Sequence, residues 1–499
     1  MTSQSTEPAK ITKSRYVAGL QCDRRLWMQV FDPLPAEQRD STLLQEAGTR
    51  IGVLAQRLFD GGVLVKEKPW QHGDAVDRTK TLMADPNVGA IFEAAFEAEG
   101  VRIRVDVLER LPDGPWGLRE VKSSGGVKEQ HRDDLAVQAF VLGAAGVRLG
   151  SVELVHINTI YVRGEDGLDL KKLFVRADMT KEIDSLRSQV ATRLTDQQAV
   201  LRRHEAPLVE PSPHCDAPYG CEFWDRCTVG KPKDWIYFLP RLSARKFAEL
   251  RAMGIERIAA IPDDFALSTD QKQIRDVVRS GASFVSNALA NALRAAGPPT
   301  VYLDFETVAP AIPLWPGTRP YQPIPFQWSA HIAQDTGHVS HREFLAGGRG
   351  DPRREFAESL IEAVGGNDAP IFVYSSFEDR QLAELQSILP TALADAIGQI
   401  RGRLFDLLPV IQKHVYHPNF AFSRSIKSVA PALAPHITYE DLPLVADGAA
   451  ASAAFECIAS GPLQGSEEAA LRNGLLRYCE RDTLAMVEVH RALLALIVG

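Results

Sequence analysis

The chain of 499 residues carries 56 Lys and Arg against 64 Asp and Glu, a formal net charge of −8, with 45% hydrophobic and 24% charged residues. This is ordinary globular composition, long enough for roughly three domains of about 150 residues. The acidic balance excludes a protein that coats nucleic acid through bulk positive charge, but leaves room for a local basic path beside acidic metal ligands.

Between residues 10 and 30 five basic residues (Lys10, Lys13, Arg15, Arg24, Arg25) face one acid, Asp23, with Tyr16 and Trp27 interleaved. Two readings stay open, a phosphate-facing surface or a solvated helix with a buried tryptophan. Residues 46–59 and 74–96 read as helical. VRIRVDVLERL (101–111) then alternates as a half-buried strand, PDGPWG turns, and GLREVKS (117–123) is a second strand. DDLAVQAFVLGAAG (133–146) reads as a helix and SVELVHINTIYVR (151–163) as a further strand, which together make an α/β core. A helix at 178–204 leads into the turn-rich PSPHCDAPYGCEFWDRC. Residues 240–295 are largely helical, GPP at 297–299 marks a boundary, and TVYLDFETV opens a second α/β domain. No stretch approaches the ~18 apolar residues of a membrane span and the opening MTSQSTEPAKITKSRYVAGL has no apolar signal core. Six cysteines are too few for a disulfide framework, so a cytoplasmic protein is expected.

The first chemical constellation is Asp106 with Glu120-Val121-Lys122. Side chains alternate along a strand, so Glu120 and Lys122 share a face and a hairpin partner brings Asp106 beside them. Two carboxylates suit a hard cation and the lysine suits developing charge on a phosphate; the plain alternative is a solvated strand face with a salt bridge. Order and residues resemble the PD-(D/E)XK nuclease core, specifically its RecB-like branch. The resemblance implies Asp106 and Glu120 as metal ligands, Lys122 as catalytic lysine and Gln138 as the glutamine of the following helix. Many relatives supply a histidine ligand from an early helix, whereas EAGTRIGVLAQRLF has none. Glu93, read as a solvated helix-face carboxylate, is a candidate replacement.

Three of the six cysteines, Cys215, Cys221 and Cys227, fall at Cys-x5-Cys-x5-Cys in a polar, turn-rich stretch where burial does not explain them and soft-metal ligation does. Cys457 and Cys479 read as inert core residues. Cys22, in LQCDRRLW, is the available fourth ligand. One cysteine before a RecB-like core and three after it resembles the iron–sulfur nucleases, including CRISPR-associated RecB-like nucleases. The resemblance implies a 4Fe–4S cluster on Cys22, Cys215, Cys221 and Cys227. A structural zinc site with His214 or His204 as spare ligand stays open.

The second constellation begins with Asp304 and Glu306 in TVYLDFET. IFVYSSFEDRQLAEL (371–385) runs from strand to helix with Glu378 at the helix start, and LLRYCERDTLAMVEVH (475–490) carries Tyr478-x-x-x-Asp482 on one helix face. Four such carboxylates suit two divalent cations about 4 Å apart. The set resembles the RNase H-like 3′→5′ exonucleases of the DEDDy group. The resemblance implies two Mg²⁺ or Mn²⁺ ions on Asp304, Glu306, Glu378 and Asp482, with Tyr478 orienting the attacking water. The second motif normally ends Phe-Asp; here it is Phe377-Glu378, with Asp379 as an alternative ligand. Asp406 reads as a structural cap or a site residue, Ser425 and Lys427 as solvated or functional. Gln322 and Gln327 read as satisfying backbone groups.

RKFAELRAMGIERIAAIPDD (245–264) and the helix after it resemble a helix–hairpin–helix pair with Gly254 in the turn. The expected organisation is α/β: a PD-(D/E)XK nuclease domain with an iron–sulfur cluster (1–232), a helical connector (233–297) and an RNase H-like DEDDy exonuclease domain (298–499). The expected function is a Mg/Mn-dependent nuclease in DNA repair, CRISPR-associated or defence processes, taking nucleotides from single-stranded 3′ ends. DNA is favoured as partner and RNA stays open. A helicase or defence-system partner is unspecified. The other class is a nucleic-acid-binding scaffold with one or both centres inactive.

Overall fold

The computed structural model describes residues 10–35, 42–294, 297–366, 368–442, 444–461, 463 and 465–498. The architecture is mixed α/β, divided into two compact units, Met1–Lys231 and Pro232–Gly499. Residues 233–297 fall within the second unit.

The first unit is a seven-stranded sheet: β1 (Ile11–Thr12), β2 (Gly62–Leu64), β3 (Ala90–Ala98), β4 (Val101–Arg110), β5 (Trp116–Lys122), β6 (Leu149–Ile157) and β7 (Phe174–Asp178). Strands β2 to β7 lie side by side in sequence order, and β1 pairs with the start of β4. Strands β3, β4 and β5 form an antiparallel meander. A parallel β5–β6 pair needs a crossover, supplied by the helix Glu129–Ala144. That helix stops where Gly146 takes φ +80, the left-handed value a helix end favours. In β4 the residues Val101, Ile103, Val105 and Val107 face the core, so the alternation turns Asp106 to the other face.

Two expectations are corrected. Residues 90–96 are strand, not helix: the helix is His72–Ala84 and Asp85–Gly89 turns into β3. Ala90, Ile91, Phe92, Ala94, Ala95 and Phe96 are all buried, so burial on both faces erases the period-2 signal and the alanines imitate a helix. The strand expected over 151–163 ends at Ile157, where Asn158 Oδ1 accepts the Ile160 amide and starts a turn.

The second unit holds a five-stranded sheet. Its strands are β9 (Thr300–Val308), β10 (Ile324–Ala333), β11 (Val339–Leu345), β12 (Ile371–Val373) and β13 (Leu404–Asp406), in the order β11-β10-β9-β12-β13. A short pair, β8 (Phe284–Val285) with β14 (Val415–Tyr416), lies apart from it. Val301, Leu303 and Phe305 pack with the helices Arg353–Val364, Phe377–Ile388 and Thr391–Arg401 on one side of β9. The intervening Tyr302 and Asp304 meet the long helix Gly465–Val498 through His490 and Cys479. The connector stretch forms helices Ala244–Ala252 and Thr269–Ser280, with Gly254 in the turn at φ +75. Among the described residues no helix is long and apolar enough to cross a membrane.

Candidate functional site

At the N-terminal acidic site β4 and β5 pair as far as Val107↔Arg119 and then part. Where the next pair would form, the Asp106 carboxylate accepts the Val121 amide at 2.7 Å and stands beside Glu120. Glu120 is 1% exposed and receives Lys122 at 2.7 Å, Lys13 at 2.8 Å and Gln138 Nε2 at 2.8 Å. Lys122 also pairs with Asp134 at 2.6 Å, and Asp134 lies one helical turn before Gln138. Asp106, Glu120, Lys122 and Gln138 are therefore together.

The charges here are strongly coupled. Burial, then Glu120, pushes Asp106 up to about 7. Burial also opposes the Glu120 charge, but Lys13 and Lys122 outweigh it and hold this carboxyl far below the ordinary range. The same burial would depress Lys13, yet Glu120, Asp134 and Asp106 keep it well above the ordinary lysine value. Glu93 is not on a helix face. It stands opposite Asp106, between the pairs Phe92↔Val107 and Ala94↔Val105, with φ +57. A positive φ in a non-glycine strand residue stores backbone strain, here beside the acidic site.

Cys22, Cys215, Cys221 and Cys227 line one cavity with Gln21, Arg24, Arg25 and His214. Cys22 caps the helix Lys13–Gln21, while Cys215 and Cys221 are joined by a 2.8 Å backbone hydrogen bond. Gln21 Nε2 donates to the carbonyls of His214 and Tyr219, each at 2.9 Å, and Arg25 pairs with Glu222 at 2.7 Å. Thiolates on one zinc ion at about 2.3 Å stand under ~4 Å apart. Among the described residues no three of these sulfurs lie within 4.8 Å of one another, and four cysteine thiols around one cavity are a donor set for a soft-metal centre. The buried Arg24 Nε lines the same cavity without a hydrogen-bond partner, an arrangement suited to an anionic centre. Burial raises the thiols of Cys215 and Cys227 and takes Cys221 to about 11, so ligation would release protons. Exposed His204 does not line the cavity, whereas His214 does.

The basic residues near Cys22 are largely committed within the unit, Lys10 to Glu97, Lys13 to Glu120 and Arg25 to Glu222. Tyr16 is fully buried and Trp27 Nε1 donates to the Arg203 carbonyl. Three of the five basic side chains of this stretch are thus ion-paired within the first unit.

In the second unit Asp304, Glu306, Glu378, Tyr478 and Asp482 line one groove of about 470 Å³. Asp304 and Glu306, two apart on β9, lie beyond Tyr302↔Phe372, the last pair β9 makes with β12, so the sheet opens beside them. Glu378 is the second residue of Phe377–Ile388, placed by the β12-to-helix turn. Tyr478 and Asp482 share a face of the long helix. Among the described residues none of the four carboxylates has an ion-pair partner within 4 Å, and Glu378 Oε2 is buried with no hydrogen bond. Burial, then Asp482 and Glu306, holds Asp304 well above the ordinary range; burial and Asp482 do the same to Glu306. Burial takes Glu378 to about 8 and raises Asp482. Asp379, the alternative ligand, pairs with Arg401 at 2.8 Å and is not among the residues that line the groove. Asp406 accepts the Leu408 amide and caps Leu407–His414. Lys427 Nζ lies 4.7 Å from the Tyr478 ring centroid and donates to the Ala446 carbonyl at 2.7 Å. Gln327 satisfies the Leu475 carbonyl.

Four residues at these two sites receive no site role from the sequence. Lys13 and Tyr439 come from distant stretches with no motif. Tyr439 Oη donates to Asp482 Oδ1 at 2.6 Å. Asp134 was legible through its four-residue spacing to Gln138. Cys479, read as inert core, stands with Sγ 3.7 Å from Asp304 Oδ2.

A domain of unknown function, DUF2779, matches residues 301–425. The match covers Asp304, Glu306 and Glu378 and ends before Tyr478 and Asp482. The solved structure of SSO0001 is 16% identical, covering 46% of this chain and 89% of its own, with a TM-score of 0.21. No curated protein matches the chain.

Proposed function

We propose that the protein is a metal-dependent nuclease of RecB-like plus RNase H-like architecture, whose C-terminal groove removes nucleotides from single-stranded 3′ ends, with DNA as substrate before RNA. One observation carries this reading: half-buried Asp304 and buried Glu306, Glu378 and Asp482, from three elements, line one groove, and among the described residues no cationic side chain is paired to any of them. Such a set is stable as a charged group only around cations. Asp304, Glu306, Glu378 and Asp482 would hold two Mg²⁺ or Mn²⁺ ions, which supply Lewis acidity to the phosphodiester. Tyr478, its ring beside Lys427, would orient a water toward the phosphorus, and the Tyr439 hydroxyl, donating to Asp482, would hold that carboxylate for the metal. The open side of the groove leaves room for a chain end.

The cysteine ring is proposed to hold a 4Fe–4S cluster with an architectural role, closing a loop of nearly two hundred residues. A preparation with about four iron atoms per chain and broad visible absorption supports it; one zinc per chain without iron rejects it.

For the N-terminal site a second reading has its own observation. Lys13 occupies the position beside Glu120 where a cation would be expected, so this centre is charge-satisfied by the chain itself. Digestion of 3′- and 5′-labelled DNA and RNA with Mg²⁺ or Mn²⁺ tests both readings. Loss of 3′ degradation in Asp304→Ala supports the C-terminal nuclease, and unchanged degradation overturns it. Lys122→Ala with unchanged products identifies the N-terminal site as inactive.

A further inference from the structure

We propose that the C-terminal groove is also a site for a thiophilic divalent cation, Zn²⁺ in kind, held by Asp304, Glu306 and Cys479. One ligand atom from each of these residues lies within 4.8 Å of the others, the one such trio among the described residues. Cys479 is fully buried, and its thiol is directed at the Asp304 carbonyl and Oδ2, both at 3.7 Å. The residue follows Tyr478 and lies one helical turn before Thr483, so the helix that carries Asp482 also presents the sulfur to the site. A second observation points to a cation: Glu378, 3% exposed, leaves Oε2 without a partner on the same groove.

Hard ions such as Mg²⁺ prefer carboxylate and water oxygens and gain little from a thiol. Zinc takes sulfur at about 2.3 Å and carboxylate oxygen at about 2.0–2.2 Å, so its tetrahedral ligand atoms stand roughly 3.5 Å apart. Side-chain movements of roughly 1 Å would close the trio to that geometry. On binding, the Cys479 S–H bond breaks, a Zn–S bond forms and the proton leaves to solvent. Occupancy by the thiophilic ion takes Asp304 and Glu306 away from the ions that hydrolysis would use, so zinc is an inhibitor of the groove. The inhibition rests on the proposed nuclease reading, whereas the binding does not.

Cd²⁺ titration of the full chain, followed by the sulfur-to-cadmium charge-transfer band, tests the binding directly. Wild type is compared with Cys479→Ser and with Asp304→Asn. The other five cysteines are common to all three chains, so differences report this site. Each variant should lose one cadmium equivalent of band intensity. The Zn²⁺ concentration giving half the thermal shift should rise at least tenfold in Cys479→Ser, on the scale of about 10–100-fold seen when a ligand-shell group is lost. The Mn²⁺ shift should remain. Equal band and stoichiometry in Cys479→Ser and wild type overturn the proposal. So does a parallel loss of the zinc and manganese shifts, which would make the thiol a packing group. Should Cys479→Ser fold poorly, Asp304→Asn keeps the thiol and decides by the same band. Absence of degradation with Mg²⁺ or Mn²⁺ beside an intact cadmium band rejects the nuclease reading alone.

Discussion

Lys13 and Lys122 hold Glu120 from two sides, at 2.8 and 2.7 Å, and both reach Asp134. Removing one partner of a buried cluster leaves uncompensated charge, which costs about 3–5 kcal/mol for a fully broken pair. Lys13→Ala leaves Lys122 in place, so we expect a loss near ~3 kcal/mol, read as a fall in the denaturant midpoint of the first unit. A loss under half that size would mean Lys122 alone neutralises the site. At the other groove, Tyr439→Phe removes the 2.6 Å hydrogen bond to Asp482 without changing the ring. The Mn²⁺ concentration for half-maximal activity should rise ~10–100-fold, with the maximal rate less affected, as for a group that orients a ligand. A fall in maximal rate alone would place Tyr439 in contact with substrate instead.

The long helix Gly465–Val498 is the element that organises the second unit. Tyr478 and Asp482 line the groove, buried Cys479 meets Asp304 behind it, Thr483 bonds His331 of β10 at 2.8 Å, and His490 bonds Tyr302 of β9 at 2.8 Å. Burial takes His331 and His490 each to about 4. A histidine whose folded pKa lies below the unfolded value of about 6.5 contributes full stability above that value and loses it as pH falls toward 4. Against His490→Gln, wild type should therefore lose up to about 3 kcal/mol of its advantage between pH 7 and pH 4, measured by denaturant unfolding at each pH. A flat difference would show that His490 takes up its proton equally well in the folded and unfolded chain. The motifs of this helix and of β9 were legible because their spacings are local: two along a strand, four along a helix. Strand β3 was not, since burial on both faces removes the alternation that marks a strand. Lys13, beside Glu120 across 107 positions, and Tyr439, beside Asp482 across 43, were invisible because only the folded chain makes them neighbours.

Across the whole chain the net charge of −8 conceals an uneven distribution, with half-buried Asp304 and buried Glu306, Glu378 and Asp482 lacking an ion-pair partner among the described residues. Their raised folded pKa values mean that the folded chain keeps protons the unfolded chain has released, so stability falls as pH rises through that range. Between pH 6.5 and 8 each buried histidine opposes this fall by about 0.4 kcal/mol as the unfolded chain finishes losing its histidine protons, so the carboxylate effect is read against Asp304→Asn. The metal-free protein should melt lower at pH 8 than at pH 6.5, and Mn²⁺ should remove the difference by binding the charged form. Asp304→Asn should raise the metal-free melting temperature at pH 8 and reduce the manganese response. An unchanged melting temperature would show that the carboxylates are hydrated rather than strained.

The clamp of Gln21 and Arg25 onto residues 214–222 has a consequence for biogenesis. The helix that delivers Lys13 to the acidic site leaves the ribosome early, yet the segment that fixes its far end is synthesised nearly two hundred residues later. The first unit thus becomes complete only when its last stretch has been translated and its cysteines gathered. A chain truncated before residue 214 would lack the partners that hold the end of Lys13–Gln21.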